Sequence, residues 1–215
     1  MPKHIVKYAV IVLISFFSAG CMVYFQGGRR SDVEKIDELS QRVDELSQAK
    51  RILEERLSGE IKDQTVKLNM MDKGLVITFV ADIMFDSGKA ALRQEAYSSL
   101  DKVARVLNEN VPDLNIGIEG HTDNQPITVS GWKSNWELSV ARALSVLHYL
   151  QDERKVSAQR LTAIGHGEHV PVADNGSREG RQLNRRVEIV IMPKLPKVKE
   201  GAIAPKKSEG SAYYK

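Results

Sequence analysis

The sequence predicts an α/β (α+β) sandwich, a mixed β-sheet with helices on one side, preceded by a coiled-coil helix. Three observations carry that expectation. Up to Leu57 the apolar residues recur in alternating steps of three and four, a helical period. From Thr65 the pattern changes to short β-rich runs. Beyond that point the segments read strand, strand, helix, strand, helix, strand, short helix, strand, an order that packs naturally as helices on a sheet. At 215 residues, 42% of them hydrophobic, the chain can bury one good core and carry appendages besides.

The first segment, residues 1–21, has Lys3 and Lys7 ahead of an apolar stretch that ends in Ser18-Ala19-Gly20-Cys21. A basic start, an apolar run and small residues before a cut site make a secretory signal, and this ending resembles a bacterial lipobox with Cys21 as the acylated residue. The apolar run also continues through Phe25, and the eighteen residues from Tyr8 are long enough for an uncleaved membrane helix. Either anchor places the rest of the chain in the cell envelope. Lipidation at Cys21 with Met22 behind it implies the outer membrane, facing the periplasm; the uncleaved helix implies an inner-membrane anchor.

Residues 31–64 read as a spacer helix. Ser31 and Glu34 fit a capping box. Ile36, Leu39, Val43, Leu46, Lys50, Leu53 and Leu57 form a heptad seam, and DELSQ recurs after seven residues. β-branched residues at a and Leu at d favour a parallel two-stranded coil, hence a possible homodimer, with Lys50 fixing its register. The other reading is a lone amphipathic helix lying on the domain. As a rod it spans about 50 Å.

The domain itself is expected over 65–192. VKLNM and LVITFVA flank Asp72-Lys73-Gly74 as a hairpin. MFDSGKAAL is a loop into a helix over Gln94 to Asn108, whose stripe is Ala96, Leu100, Val103, Val106 and Leu107. Leu114 to Glu119 follows as a strand, Asn135 to Asp152 as a helix, Leu161 to Ile164 as a strand, Ser177 to Asn184 as a short helix and Arg186 to Met192 as the last strand. In the second long helix Trp136, Val140, Ala143, Leu144 and Leu147 are expected to be the buried stripe, so that Arg142 points away from it, with Asn135 seven residues back on nearly the same face. Ser134 and Glu137 make a further capping box. Residues 193–215, rich in Pro, Lys, Gly, Ser and Ala, read as a disordered basic tail.

Charge excludes one class of partner. The tail's six Lys against Glu200 and Glu209 account for more than the whole formal charge of +3, leaving the rest of the chain near −1. No nucleic acid partner is expected of a domain without a basic face. The single cysteine rules out an internal disulfide. His121, Asp123, His166, Glu168 and His169 match no ligand-spaced metal motif, and His166 and His169 sit in a Gly-rich loop expected to face water. Ser130 and Ser139 lack a nucleophile elbow. No cofactor, metal or catalytic residue is therefore expected.

FDSGKAAL, GHTDNQPI, SNWELSVARALSVLHYL, RLTAIGHGEHVPVADN and EGRQLNRRVEIVI resemble, in order, the motifs of the OmpA-like peptidoglycan-binding domains. The resemblance covers Lys67 to Met192. It implies a non-enzymatic receptor for the diaminopimelate of peptidoglycan stems, in which Asp123 meets the amino group and Arg142 the carboxylate. Asn135 and Arg185 would line the site, and Asp86 with Ser87 would form its far wall. A carboxylate and a guanidinium facing one pocket suit a zwitterion, because the planar fork takes a carboxylate with two hydrogen bonds. The bland readings are a turn-forming Asp123, a solvated Arg142, Arg185 and Arg186 paired with acids or snorkelling, and Asp86 and Ser87 as helix caps. HTDNQPI and SNWELS are similar to the flagellar stator branch, but Ala9 to Phe25 contains no acid for proton flow, which argues against a stator role. What the resemblance implies is a tether between a membrane and peptidoglycan, with a coiled-coil scaffold or flagellar-motor-associated envelope protein as the alternative.

Overall fold

The computed structural model describes residues 33–127 and 131–193. The signal or anchor segment with Cys21, the capping residue Ser31 and the tail from residue 194 lie outside the described residues. Among the described residues no helix is long and apolar enough to cross a membrane.

Helix α1 is described from residue 33 to residue 56, followed by the short α2 (Ser58–Lys62). Strands β1 (Val66–Met71) and β2 (Gly74–Val80) form the expected hairpin, closed by Met71 opposite Gly74. Next come a helical turn α3 (Ala81–Met84), helix α4 (Gln94–Glu109), strand β3 (Asn115–His121), helix α5 (Asn135–His148), strand β4 (Leu161–Gly165), helix α6 (Arg178–Asn184) and strand β5 (Arg186–Met192). The sheet order is β1-β2-β5-β3-β4. Only β3 and β4 are parallel, and α5 makes their crossover, so the sheet is mixed as expected.

Register sorts the side chains. Ile77 faces Ile189, which faces Ile118, so Leu75, Ile77, Phe79, Ile116, Ile118, Val187, Ile189 and Ile191 share one surface. That surface meets the α4 stripe of Ala96, Leu100, Val103, Val106 and Leu107 in a single core. On the opposite surface Glu119 pairs directly with Glu188, a like-charge contact that Lys73 Nζ bridges at 2.8 Å to each.

Two elements depart from the sequence reading. Ala81, expected at the end of a strand, instead opens α3, because Ala81 N–H donates to Arg185 O and the chain turns off the sheet toward an isolated bridge between Phe85 and Leu92. The heptad seam of α1 is divided. Leu46, Ala49, Leu53 and Leu57 are buried in the domain core, while Ile36, Leu39 and Val43 are 64%, 57% and 60% exposed. Glu60 of α2 fastens this end to α4, accepting from Ser99 Oγ at 3.0 Å and Lys102 Nζ at 2.7 Å.

Candidate functional site

The close seating of α5 on the sheet sets the site. A Cβ on Gly120 would stand 2.0 Å from Ser139 O, and one on Gly165 would stand 2.3 Å from Val140 Cγ2. Only glycine allows that approach on the strand side, where Ser139 and Val140 of the helix come against the backbone. The buried face of α5 is accordingly Leu138, Ser139, Arg142, Ala143 and Val146. This corrects the expected stripe: Ala143 is buried, but Trp136, Val140 and Leu144 are 50%, 37% and 39% exposed. It also corrects the inference drawn for Arg142, which is only 4% exposed and so no solvated surface cation.

The α5 start is capped by Ser134 Oγ, which accepts from Glu137 N, while the Glu137 carboxylate accepts from Lys133 N rather than Ser134 N. The reciprocal bond of the capping box is thus shifted by one residue. Asn135 Nδ2 ties the helix to the loop beyond β3, reaching Asp123 O at 3.3 Å and Gln125 O at 3.1 Å, and also Glu168 Oε2 at 2.7 Å.

All six side chains singled out for the pocket line one cleft of about 820 Å³: Asp86, Ser87, Asp123, Asn135, Arg142 and Arg185. Most of its charges are already paired. Asp123 Oδ1 accepts from Gln125 N at 3.2 Å, a turn contact, and its Oδ2 accepts from Arg185 Nη1 at 2.8 Å. Arg185 also grips Asp82, and those hydrogen bonds, chiefly from Asp82, raise its pKa. Asp86 meets Lys89 Nζ at 3.0 Å and lies 3.9 Å from Arg93 Nε, and the Lys89 bond lowers the Asp86 pKa. Asp86 and Ser87 do not cap α4, whose N-cap is Arg93.

Arg142 is the exception. Its Nε donates to Lys89 O at 3.0 Å and its guanidinium carbon lies 5.1 Å from the centre of the Phe85 ring. Among the described residues it has no salt bridge, and its two terminal nitrogens carry no hydrogen bond within the protein. Burial pushes its pKa down to about 10, the Arg185 charge working the same way and Asp82 and Asp123 opposing it. It stays a cation at neutral pH, with both fork nitrogens left for an anion.

Three contributors were not evident in the sequence. Asp82 enters the cleft through the α3 turn. Asn184 is fully buried and gathers the chain ahead of α6, accepting from Val172 N and Ala173 N and donating to Ala173 O, which fixes where Arg185 emerges. Trp132 Nε1 donates to Gly88 O at 2.9 Å, holding the long loop across to the cleft-lining turn at Gly88, whose φ of 67° suits glycine. A tryptophan in a polar loop is the signal that could have found it.

The OmpA family pattern matches residues 84–185. Motility protein B of Bacillus subtilis is 40% identical over 151 residues, which are 70% of this chain and 58% of that protein. The solved cell wall anchor of the T6SS from Pseudomonas aeruginosa is 37% identical, with 66% of this chain and 97% of that one covered and a TM-score of 0.60. A putative MotB like protein from Desulfovibrio vulgaris shares 25% identity over 74% of this chain and 98% of its own, with a TM-score of 0.65. The chain spans a little over half the length of the first curated relatives it matches.

Proposed function

Because this chain belongs to the OmpA family, we infer that it is a non-enzymatic peptidoglycan-binding protein of the cell envelope that ties a membrane to the wall. The observation that carries this reading is Arg142, a buried cation that has no salt bridge among the described residues and whose fork nitrogens are left to the cleft. A stem-peptide zwitterion of the diaminopimelate type places its carboxylate on that fork. Its ammonium lies against Asp123, which Arg185 and the Gln125 amide hold in orientation. Ser87 and the Asp86 turn close the other side of the cleft.

The membrane end is the N-terminal segment, through a lipid on Cys21 or an uncleaved helix. The exposed stretch of the α1 seam, Ile36 to Val43, pairs two chains, and two domains on one rod raise a modest affinity, roughly micromolar or weaker for a single small-ligand site, through avidity. The likeness to Motility protein B supports a second reading, a motor-associated envelope protein whose wall binding is secondary.

Co-sedimentation of Ser31 to Lys215 with isolated sacculi, beside the Arg142→Ala variant, tests the reading. Pelleting of the wild type alone supports wall binding through this cleft. Failure of both to pellet removes the function and leaves α1 as the place to seek a partner.

A further inference from the structure

The sheet surface turned away from the core carries a second constellation, separate from the cleft. Glu119 and His121 lie two apart on β3 and so project on the same side. Parallel pairing sets Gly120 opposite Gly165, which brings His166, the residue after β4, alongside His121. This departs from the expectation that His166 faces water. The two imidazoles stack with centres 4.7 Å apart and planes 14° from parallel.

Both rings turn Nε2 toward the same oxygen, Glu119 Oε2, at 3.9 Å for His121 and 3.3 Å for His166. One ligating atom from each of the three residues lies within 4.8 Å of the others. His121 is 2% exposed, and neither of its ring nitrogens has a hydrogen-bond partner. A native interior does not leave such a group unmatched without reason.

We propose that Glu119, His121 and His166 bind one zinc-class divalent cation through two imidazoles and a carboxylate, with solvent as the fourth ligand. Tetrahedral zinc with bonds of about 2.0–2.1 Å sets its ligand atoms roughly 3.4 Å apart. The His166 to Glu119 separation already meets that spacing, and rotation of His121 has two edges to close, 3.9 Å to Glu119 and no more than 4.8 Å to His166. Lys73 competes, because its ammonium donates to Glu119 Oε2 at 2.8 Å. It sits on the β1-β2 turn, half exposed, and retains Glu188 when the cation takes Glu119. The bound ion clips the segment after β4 to the end of β3. That segment is already joined to the cleft wall, since Thr122 N donates to Gly167 O and Glu168 holds Asn135. The assignment stands whether or not the cleft binds peptidoglycan.

The test is calorimetric titration of the full chain, purified in detergent and stripped with chelator, with zinc chloride, alongside His166→Ala and Lys73→Ala, each checked for native circular dichroism. The expected result is one equivalent for the wild type. His166→Ala should lose more than the roughly 10–100-fold that removal of a ligand's hydrogen-bond partner costs. Lys73→Ala should bind more tightly, because the competing ammonium is gone. Absence of zinc uptake, affinity unchanged in His166→Ala, or weaker binding in Lys73→Ala would each overturn the assignment. Cobalt taken up in place of zinc should give the intense visible bands of a tetrahedral site, and an octahedral spectrum counts against it.

Discussion

Arg185 Nη1 donates to Asp123 Oδ2 at 2.8 Å while its Nε and Nη2 hold the two oxygens of Asp82 at 3.1 and 2.8 Å. The acid proposed to meet a ligand ammonium is thus shared with a resident guanidinium, and the shared cation keeps an anchor of its own. Asp123→Asn should therefore weaken sacculus binding roughly tenfold or more, the value of a charge-assisted hydrogen bond. The urea midpoint should fall only slightly, because Arg185 keeps Asp82. A large loss of stability with binding intact would reverse the roles assigned to these residues.

Arg142→Met should separate binding from stability. A buried cation without a partner costs the fold, and an apolar side chain of similar length removes that cost, a change worth about 1–4 kcal/mol in favourable cases. The variant is expected to lose sacculus binding while unfolding at the same or higher urea concentration than wild type. An unfolding free energy more than about 1 kcal/mol lower would mean that the Arg142 bond to Lys89 O dominates its role.

The divided seam of α1 predicts where the chain tolerates shortening. Removing everything before residue 45 takes away only the exposed positions Ile36, Leu39 and Val43 and should leave cooperative unfolding unchanged. Removing residues through 57 deletes Leu46, Ala49, Leu53 and Leu57 from the core. At about 1.5–3 kcal/mol for each fully buried Leu, this should lower or abolish the transition. Equal stability of the two truncations would show that α1 is a mere appendage.

Glu60 gives a pH signature. Although its partial burial works the other way, its bonds to Lys102 and Ser99 lower its pKa in the folded protein. A carboxylate so depressed contributes stability that is present above the unfolded value near 4.5 and is lost as pH falls through the folded value. Glu60→Gln should cost up to about 1 kcal/mol at pH 7 and nothing at pH values where the wild-type carboxylate is already protonated. Urea melts of both proteins at neutral and strongly acid pH read this directly, and a cost independent of pH would point to packing alone.

Much of the fold could be read from period and punctuation. The α4 stripe, the hairpin turn at Asp72-Lys73 and the capping serine Ser134 stand where the sequence placed them. The side of α5 that is buried could not be read that way. Hydrophobic period favoured Trp136, Val140 and Leu144, whereas the close approach of Ser139 to Gly120 and of Ser139 and Val140 to Gly165 fixes the rotation of the helix and turns Leu138, Ser139, Arg142, Ala143 and Val146 inward. The gathering of Asp86, Asn135, Arg142 and Arg185 around Asp123 followed from the family motifs, but the prior claim of Arg185 on Asp123 depends on Asp82, which a helical turn carries in from an expected strand end. Nor could the heptad letters show that only part of the seam meets the domain core, because Leu39 and Leu53 occupy equivalent positions in the repeat, one exposed and one buried.

The backbone contact at Gly120 acts on chemistry several residues away. With no side chain between Gly120 and the Ser139 backbone, strand and helix meet directly, and that contact sets the spacing from the acid beyond β3 to the guanidinium on α5. The cleft thereby becomes a caliper of fixed gape. A zwitterion bound as proposed would be selected by the separation between its two charged ends before any hydrogen bond is compared.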